Sequence, residues 1–135
     1  MNKRLSQEYE RDAKGYVIIK EGKHKFINEK VKIHGTAVVT VRGKSEVFAY
    51  DSSEVYANDS ARVYANDSAV VYAFDSAAIY AYDSARVYAF GSAVVCAFES
   101  VRVCAFESVR VDAFGSSKIH IEDSAKIVKD KRGVE

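Results

Sequence analysis

The chain repeats an eight-residue unit so regularly that the period itself limits the folds open to it. From Val55 onward the octads read VYANDSAR, VYANDSAV, VYAFDSAA, IYAYDSAR, VYAFGSAV, VCAFESVR, VCAFESVR, VDAFGSSK and IHIEDSAK, without a gap. VFAYDSSE from Val47 fits fully and the octads from Val31 and Val39 fit partly, so twelve octads span residues 31–126. A fixed short period is the signature of a repeat architecture.

Each octad contains one strand and one corner. Position 1 is Val or Ile throughout, position 3 is Ala in nine of twelve octads, and position 7 is Ala, Ser or Val. These positions alternate with positions 8, 2 and 4, which predicts a strand with positions 7, 1 and 3 on its inner face. Positions 5 and 6 are an acidic residue or Gly followed mostly by Ser, which is typical of corners whose side chains bond a backbone N–H one or two residues on.

Identical successive strands can form an antiparallel meander or a parallel solenoid. Tight hairpins favour turns with positive φ, for which Asp-Ser is poorly suited, and equal residues stack on one another only in a parallel repeat. We therefore predict an all-β fold, a parallel β-solenoid of octapeptide repeats. Small inward Val and Ala favour two octads per coil, because a three-octad tube would leave voids. The array then makes about six coils.

The octads divide the chain into three parts. Residues 1–30 are predicted to form a small N-terminal cap of a short polar segment plus strands, residues 31–126 the solenoid, and residues 127–135 a charged C-terminal cap or tail. Polar ends of this kind shield open sheet edges. Charge is also unevenly distributed: residues 1–46 carry eleven Lys or Arg against six Asp or Glu, and residues 47–126 carry six against eleven.

Aromatic residues recur at the outward positions 2 and 4. A soluble monomer seldom exposes an apolar patch as large as these columns would make. Two interpretations stay open: the rings stack to stabilise the solenoid, or they form an interface with a second copy, giving a homodimer, or with another protein. The candidate interface residues are Tyr72, Phe74, Tyr80, Tyr82, Tyr88, Phe90, Phe98 and Phe106.

Acidic residues recur at position 5. They can cap the corners, or form an acidic edge that imitates a nucleic-acid backbone, and stacked carboxylates need a local stabilising partner because like charges repel. A calcium ladder is disfavoured, since the nonapeptide calcium repeat requires paired glycines that this chain lacks. The candidate acidic edge comprises Asp51, Asp59, Asp67, Asp75, Asp83, Glu99 and Glu107.

The sequence contains no recognisable catalytic constellation. Its three His share no metal spacing, its corner serines have no His base, and its glycines form no phosphate loop. We expect no enzyme, cofactor, metal or small-molecule substrate. Cys96 and Cys104 are expected as free thiols on opposite outer faces. A net charge of +1, two cysteines and the lack of a long apolar stretch favour a cytoplasmic location without membrane binding, and make nucleic acid an unlikely general partner.

The runs AYDSARVYAF and AFDSAAIYAYDSARV resemble short-repeat proteins of bacteria and their phages, over Val47 to Lys126. The shape is also similar to pentapeptide-repeat solenoids, some of which imitate DNA. The resemblance brings no assigned activity. Because small phage proteins without an active site often bind and block, we expect an inhibitor of a host defence or DNA-handling protein, of the anti-CRISPR type, in the host cytoplasm if phage-encoded. It would act through the aromatic face or the acidic edge.

Two alternatives to the inhibitor remain. One is a structural or oligomerising rod without a specific target. The other is a nucleic-acid binder that uses the basic N-terminal segment, in which case binding should depend steeply on salt. The basic residues concerned are Lys3, Arg4, Arg11, Lys14, Lys20, Lys23, Lys25, Lys30 and Lys32.

Overall fold

A computed structural model of the protein describes residues 9–132 and shows an all-β parallel solenoid of about seven turns, with 16 residues per turn. Each octad contributes one short strand, and no helix that could span a bilayer occurs within residues 9–132. The strands are β1 Val17–Ile19, β2 Lys23–Ile27, β3 Lys30–Ile33, β4 Val38–Arg42, β5 Glu46–Ala49, β6 Glu54–Ala57, β7 Arg62–Ala65, β8 Val70–Ala73, β9 Ala78–Ala81, β10 Arg86–Ala89, β11 Val94–Ala97, β12 Arg102–Ala105, β13 Arg110–Gly115, β14 Lys118–Ile121 and β15 Lys126–Arg132.

Consecutive strands alternate between two parallel sheets. The odd-numbered strands form an eight-stranded sheet in the order β1-β3-β5-β7-β9-β11-β13-β15, here called the odd sheet. The even-numbered strands form a seven-stranded sheet from β2 to β14, here called the even sheet. Between β3 and β14, each strand residue pairs with its equivalent two octads along the chain, as Val63 does with Ile79. The predicted solenoid and its two-octad turn are therefore confirmed.

The extra turn beyond the six predicted lies at the N-terminal end. Strands β1 and β2 extend the two sheets, pairing Val17 with Val31 and Lys23 with Val38. These partners are separated by less than two full octads, so the first turn does not repeat the octad. Its register is set by alternating buried residues such as Val17 and Ile19 instead.

The core consists of the inward positions 1, 3 and 7, as the alternation predicts. Val55, Ala57 and Ala61 are each 0% exposed, and the same pattern continues through Val109 and Val111. Because these side chains are small, the two facing sheets can pack closely against each other. Every large outward residue is thereby left on one of two outer surfaces.

The N-terminal segment folds over the first turn. The Ile18 N–H donates to the Glu10 carbonyl at 2.8 Å, and Arg11 forms an antiparallel bridge with Val17. The Tyr9 ring packs edge-on against Phe26, with ring centroids 5.1 Å apart. Residues 9–16 thus cover the open end of the sheets, while the predicted polar segment before Tyr9 lies outside the described residues.

The C-terminal end finishes in a charged strand. Strand β15 pairs with β13 across a bulge that leaves Val128 as the extra residue, 54% exposed. Four of its seven residues are Lys or Arg, and charged residues on an edge strand discourage pairing with other chains. The last three residues of the predicted C-terminal tail lie outside the described residues.

The core can be tested with one substitution made at two adjacent positions. We expect Val95→Ala, at a fully buried position, to lower the free energy of unfolding by about 2–3 kcal/mol through lost burial and a cavity. Val94→Ala removes the same atoms from a side chain that is 42% exposed and should cost less than about 1 kcal/mol. Urea denaturation measures both, and equal losses would contradict the assignment of inward and outward positions.

The cap makes stability depend on pH through Asp12. Its carboxylate lies 2.6 Å from the Lys32 ammonium, which lowers the pKa of Asp12 to about 2, with help from the backbone N–H groups of Tyr16 and Lys14. Because the pKa is lowered in the folded state, this contribution is present above about pH 4 and is lost as pH falls towards 2.

We therefore expect Asp12→Asn to be less stable than the wild type near neutral pH, with the difference vanishing towards about pH 2. Urea denaturation across this range measures the effect. Glu10→Gln is the control, because Glu10 forms no ion pair among the described residues, and its curve should parallel the wild type. A difference for Asp12→Asn that stays constant with pH would contradict the role of its charge.

Candidate binding faces and acidic corners

Each corner of the solenoid turns in the left-handed region of backbone space. The position-5 φ is 60° at Asp51, 55° at Asp67 and 56° at Glu99, and glycines occupy the same position in other octads. The expectation that Asp-Ser is unsuited to positive φ was therefore wrong. Asp tolerates this conformation better than most residues, and the choice of Asp or Gly at position 5 follows from it.

The corner carboxylates bond to the turn before their own. Asp67 Oδ2 accepts the Asp51 N–H at 2.9 Å, and Asp83 Oδ2 accepts the Asp67 N–H at 3.0 Å. Glu99 continues this series by accepting the Asp83 N–H at 2.6 Å. The predicted bond within the corner is thus replaced by one that spans a full turn of the solenoid. It ties successive turns together and places an N–H dipole next to each negative charge.

The candidate acidic residues form two separate edges. One edge carries Asp51, Asp67, Asp83 and Glu99, and the opposite edge carries Asp59, Asp75 and Glu107, interrupted at Gly91. All seven residues are exposed. Among residues 9–132, no group of three His, Cys, Asp or Glu is placed to hold a metal ion.

The outward aromatic residues stack in columns along the solenoid axis. In the even sheet the Tyr56–Tyr72 and Tyr72–Tyr88 ring centroids are 4.7 and 5.2 Å apart. At position 4 of the same sheet, the rings of Phe74, Phe90 and Phe106 follow at 5.3 and 5.0 Å. The odd sheet carries two further columns, Phe48–Tyr64–Tyr80 and Tyr82–Phe98–Phe114.

The two faces differ in how their columns overlap. In the even sheet two consecutive turns, those of Tyr72 and Tyr88, each carry a second ring at position 4, so both columns run side by side. In the odd sheet the turns of Phe48 and Tyr80 carry a second ring, but the turn between them has Asn66 at position 4. The octads of the odd sheet carry seven outward Tyr or Phe rings and those of the even sheet six, but only the even sheet has paired rings on two consecutive turns.

The eight candidate interface residues are all half-buried and do not form one patch. The even sheet carries Tyr72, Phe74, Tyr88, Phe90 and Phe106, and the odd sheet carries Tyr80, Tyr82 and Phe98. Burial raises the pKa of Tyr72 and of Tyr82, consistent with rings that cover one another. Tyr56 also belongs to the even surface, and its place in the octad alignment would have identified it.

The two thiols lie on different sheets and are free, as their one-octad separation predicts. Cys96 Sγ lies 3.9 Å from Asp112 Oδ2, and burial, followed by the Asp112 charge, raises the pKa of this thiol. Cys104 lies between Tyr88 and His120 in the even sheet.

The predicted basic residues are scattered over the N-terminal turns. Lys3 and Arg4 lie outside the described residues, while Arg11 and Lys32 are engaged with Glu29 and Asp12. Sequence reasoning missed a second basic feature. Arg86, Arg102 and Lys118 occupy position 8 on three successive strands of the even sheet, and their two-octad spacing is the signal that could have found them.

The corner bonds predict a graded response to substitution at Asp67. We expect Asp67→Ala to lower the free energy of unfolding by about 1–3 kcal/mol, because it strains the left-handed backbone and leaves the Asp51 N–H without its acceptor. Asp67→Asn retains an oxygen acceptor and should be nearly neutral, and Asp67→Gly should fall between them. Urea denaturation ranks the three. If Asn is as damaging as Ala, the carboxylate charge rather than the hydrogen bond is required.

No family model, curated protein or solved structure matches this chain. Function is therefore inferred from the residues that its own faces and edges display.

Proposed function

We propose that the protein is a non-enzymatic protein-binding module that docks another protein on the aromatic face of its even sheet. The observation that carries this proposal is the pair of adjacent columns, Tyr56–Tyr72–Tyr88 and Phe74–Phe90–Phe106. Tyr and Phe are enriched at the centres of protein interfaces.

The stacked arrangement suits such a face to binding. Neighbouring rings in these columns lie within 15° of parallel, so stacking already restricts their rotamers before a partner arrives. Less side-chain entropy is then lost on association, which favours affinity. The exposed Arg86 and Arg102 flank the Tyr column and supply a polar rim with a residue type that is enriched at interfaces.

The use of this face as an inhibitor follows from the resemblance of the octads to bacterial and phage repeats. On that basis the partner is a host defence or DNA-handling protein in the cytoplasm, and the acidic edges are a second contact surface. An anti-CRISPR role and a homodimer formed through the same face remain predictions.

A structural rod is the second candidate function. It is favoured by two features at the ends of the solenoid: residues 9–16 cover the N-terminal end, and β15 forms a Lys-rich edge. Both features discourage other copies of the chain from pairing with the open sheet edges. In such a rod the aromatic columns serve stability alone.

Two register-matched variants separate these functions. Tyr72→Ser, Phe74→Ser and Phe90→Ser together strip the even face, and Tyr80→Ser, Tyr82→Ser and Phe98→Ser, each one octad later, strip the odd face equally. We expect the even variant to lose partner binding and the odd variant to retain it, because only the even sheet carries paired rings on two consecutive turns. Affinity capture from host lysate identifies the partner, and light scattering at several concentrations reports self-association.

A dimer that only the even variant dissociates would assign the face to a second copy. A monomer that captures nothing would overturn the binding module in favour of the rod. Equal losses for both variants would show that the effect comes from stability rather than from a face, so urea denaturation of both is the control.

A further inference from the structure

The Tyr column of the even sheet is interrupted at one position. Tyr56, Tyr72 and Tyr88 stack in succession, the next strand places Cys104 at the same position, and the strand after it places His120 there. Neighbouring strands lie about 4.8 Å apart, so the rings of Tyr88 and His120 are separated by about twice that distance. A planar ring over Cys104 would therefore lie at the column's own spacing from both.

The surface is hollow at this point. A depression of about 190 Å³ is lined by Arg86, Val87, Tyr88, Arg102 and Cys104. A second depression of about 340 Å³ is lined by Arg102, Val103, Cys104, Lys118, Ile119 and His120. The two share Arg102 and Cys104, so together they follow the interruption in the column.

A row of cations runs beside the hollow. Arg86, Arg102 and Lys118 are direct partners in adjacent strands, and all three are exposed. None of them forms an ion pair with any residue between 9 and 132. Glu122, which follows the opposite end of the strand that Lys118 begins, is bonded to His120 at 2.8 Å. Stacked like charges repel one another, and an anion bound along the row would remove that repulsion.

We propose that this hollow binds a nucleotide, with the base between Tyr88 and His120 over Cys104 and the phosphates along Arg86, Arg102 and Lys118. Bases stack on aromatic side chains with little sequence preference. Arginine forks pair with phosphate oxygens, and three successive cations match a di- or triphosphate better than a single carboxylate. The same chemistry comes from a free nucleotide or from the phosphorylated end of a single strand.

The odd sheet supplies a matched control within the molecule. There Tyr80 is likewise followed by Cys96, but Asp112 stands where the even sheet has His120. The flanking row is Ala78, Val94 and Arg110, which carries one cation instead of three. The same Tyr-to-Cys step is therefore present without the anion-binding row, and no nucleotide is expected there.

This site shares Arg86, Tyr88 and Arg102 with the proposed protein-binding face, but the two functions can be tested separately. The variant that strips the even face changes Tyr72, Phe74 and Phe90 and leaves every residue of the hollow in place. Loss of protein binding in that variant and loss of nucleotide binding in the variants below are therefore separate outcomes.

The first test measures alkylation of the two cysteines by iodoacetamide, followed by mass spectrometry, with and without ATP. We expect ATP to slow the reaction of Cys104 several-fold and to leave the rate at Cys96 unchanged. Adenosine, which has the base without phosphates, and tripolyphosphate, which has phosphates without a base, should each protect Cys104 less than ATP does. An oligonucleotide with a 5′-phosphate that protects at lower concentration than ATP would identify a strand end as the source. Unchanged alkylation of Cys104 with all of these probes at millimolar concentration would overturn the site.

The second test measures ATP affinity by calorimetry in matched variants. Arg102→Ala should weaken binding about tenfold, through loss of charge-assisted hydrogen bonds. Cys104→Tyr should weaken it at least as much by filling the position of the base. Arg110→Ala and Cys96→Tyr, the equivalents on the odd sheet, should leave the affinity within about twofold of the wild type. If the odd-sheet controls weaken ATP binding as strongly, the proposal fails. Arg102→Ala changes an exposed residue, so it keeps the test valid even if Cys104→Tyr or Cys96→Tyr does not fold.

Discussion

The structure depends on one interaction, the parallel hydrogen-bonded pairing of each strand residue with its equivalent two octads away. Between β3 and β14 this pairing places Val on Val or Ile, Ala on Ala, and Tyr on Tyr. Its consequences differ with position. Small inward residues pack, outward rings stack at 4.7–5.3 Å, and corner carboxylates are brought next to carboxylates. The last arrangement is unfavourable unless something opposes the repulsion.

The corners meet that requirement through their backbone. A carboxylate at position 5 accepts the N–H of the position-5 residue one turn earlier, as between Asp67 and Asp51. Where the later residue is Gly91 or Gly115, no carboxylate is available, and an added Cβ would lie 3.0 or 2.8 Å from the N of Asp75 or Glu99. Position 5 thus accepts either a side chain that bonds the previous turn or a glycine that packs closely against it, and both are compatible with positive φ.

The octad period predicted most of the fold, because alternation and period together determine the turn length, the inward positions and the separation of Cys96 from Cys104. It did not predict the first solenoid turn, formed by residues 17–27. The strand residues that pair with this turn lie less than two octads along the chain, so its sequence does not repeat the octad. Local turn chemistry predicts that each corner Asp bonds an N–H within its own corner. In the stacked solenoid the carboxylate instead accepts the N–H of the position-5 residue one turn earlier, as Asp67 does from Asp51. The same octad parity assigns Tyr80 and Tyr88 to opposite faces, as the two sheets have them, but it does not decide which face meets a partner.

Two octads in this chain are identical, VCAFESVR at residues 95–102 and again at 103–110, yet their surroundings differ. Cys96 lies between Tyr80 and Asp112, whereas Cys104 lies between Tyr88 and His120. The properties of an outward position are therefore set by the residues two octads before and after it, and not by its neighbours along the chain. Because positions 1, 3 and 7 supply the buried core of the octads, substitutions at the outward positions 2, 4 and 8 can change a face while the inward packing is kept. Function in such a solenoid is accordingly encoded in the differences between octads of the same parity, such as the His120 that follows Cys104 in the even sheet and the Asp112 that follows Cys96 in the odd sheet.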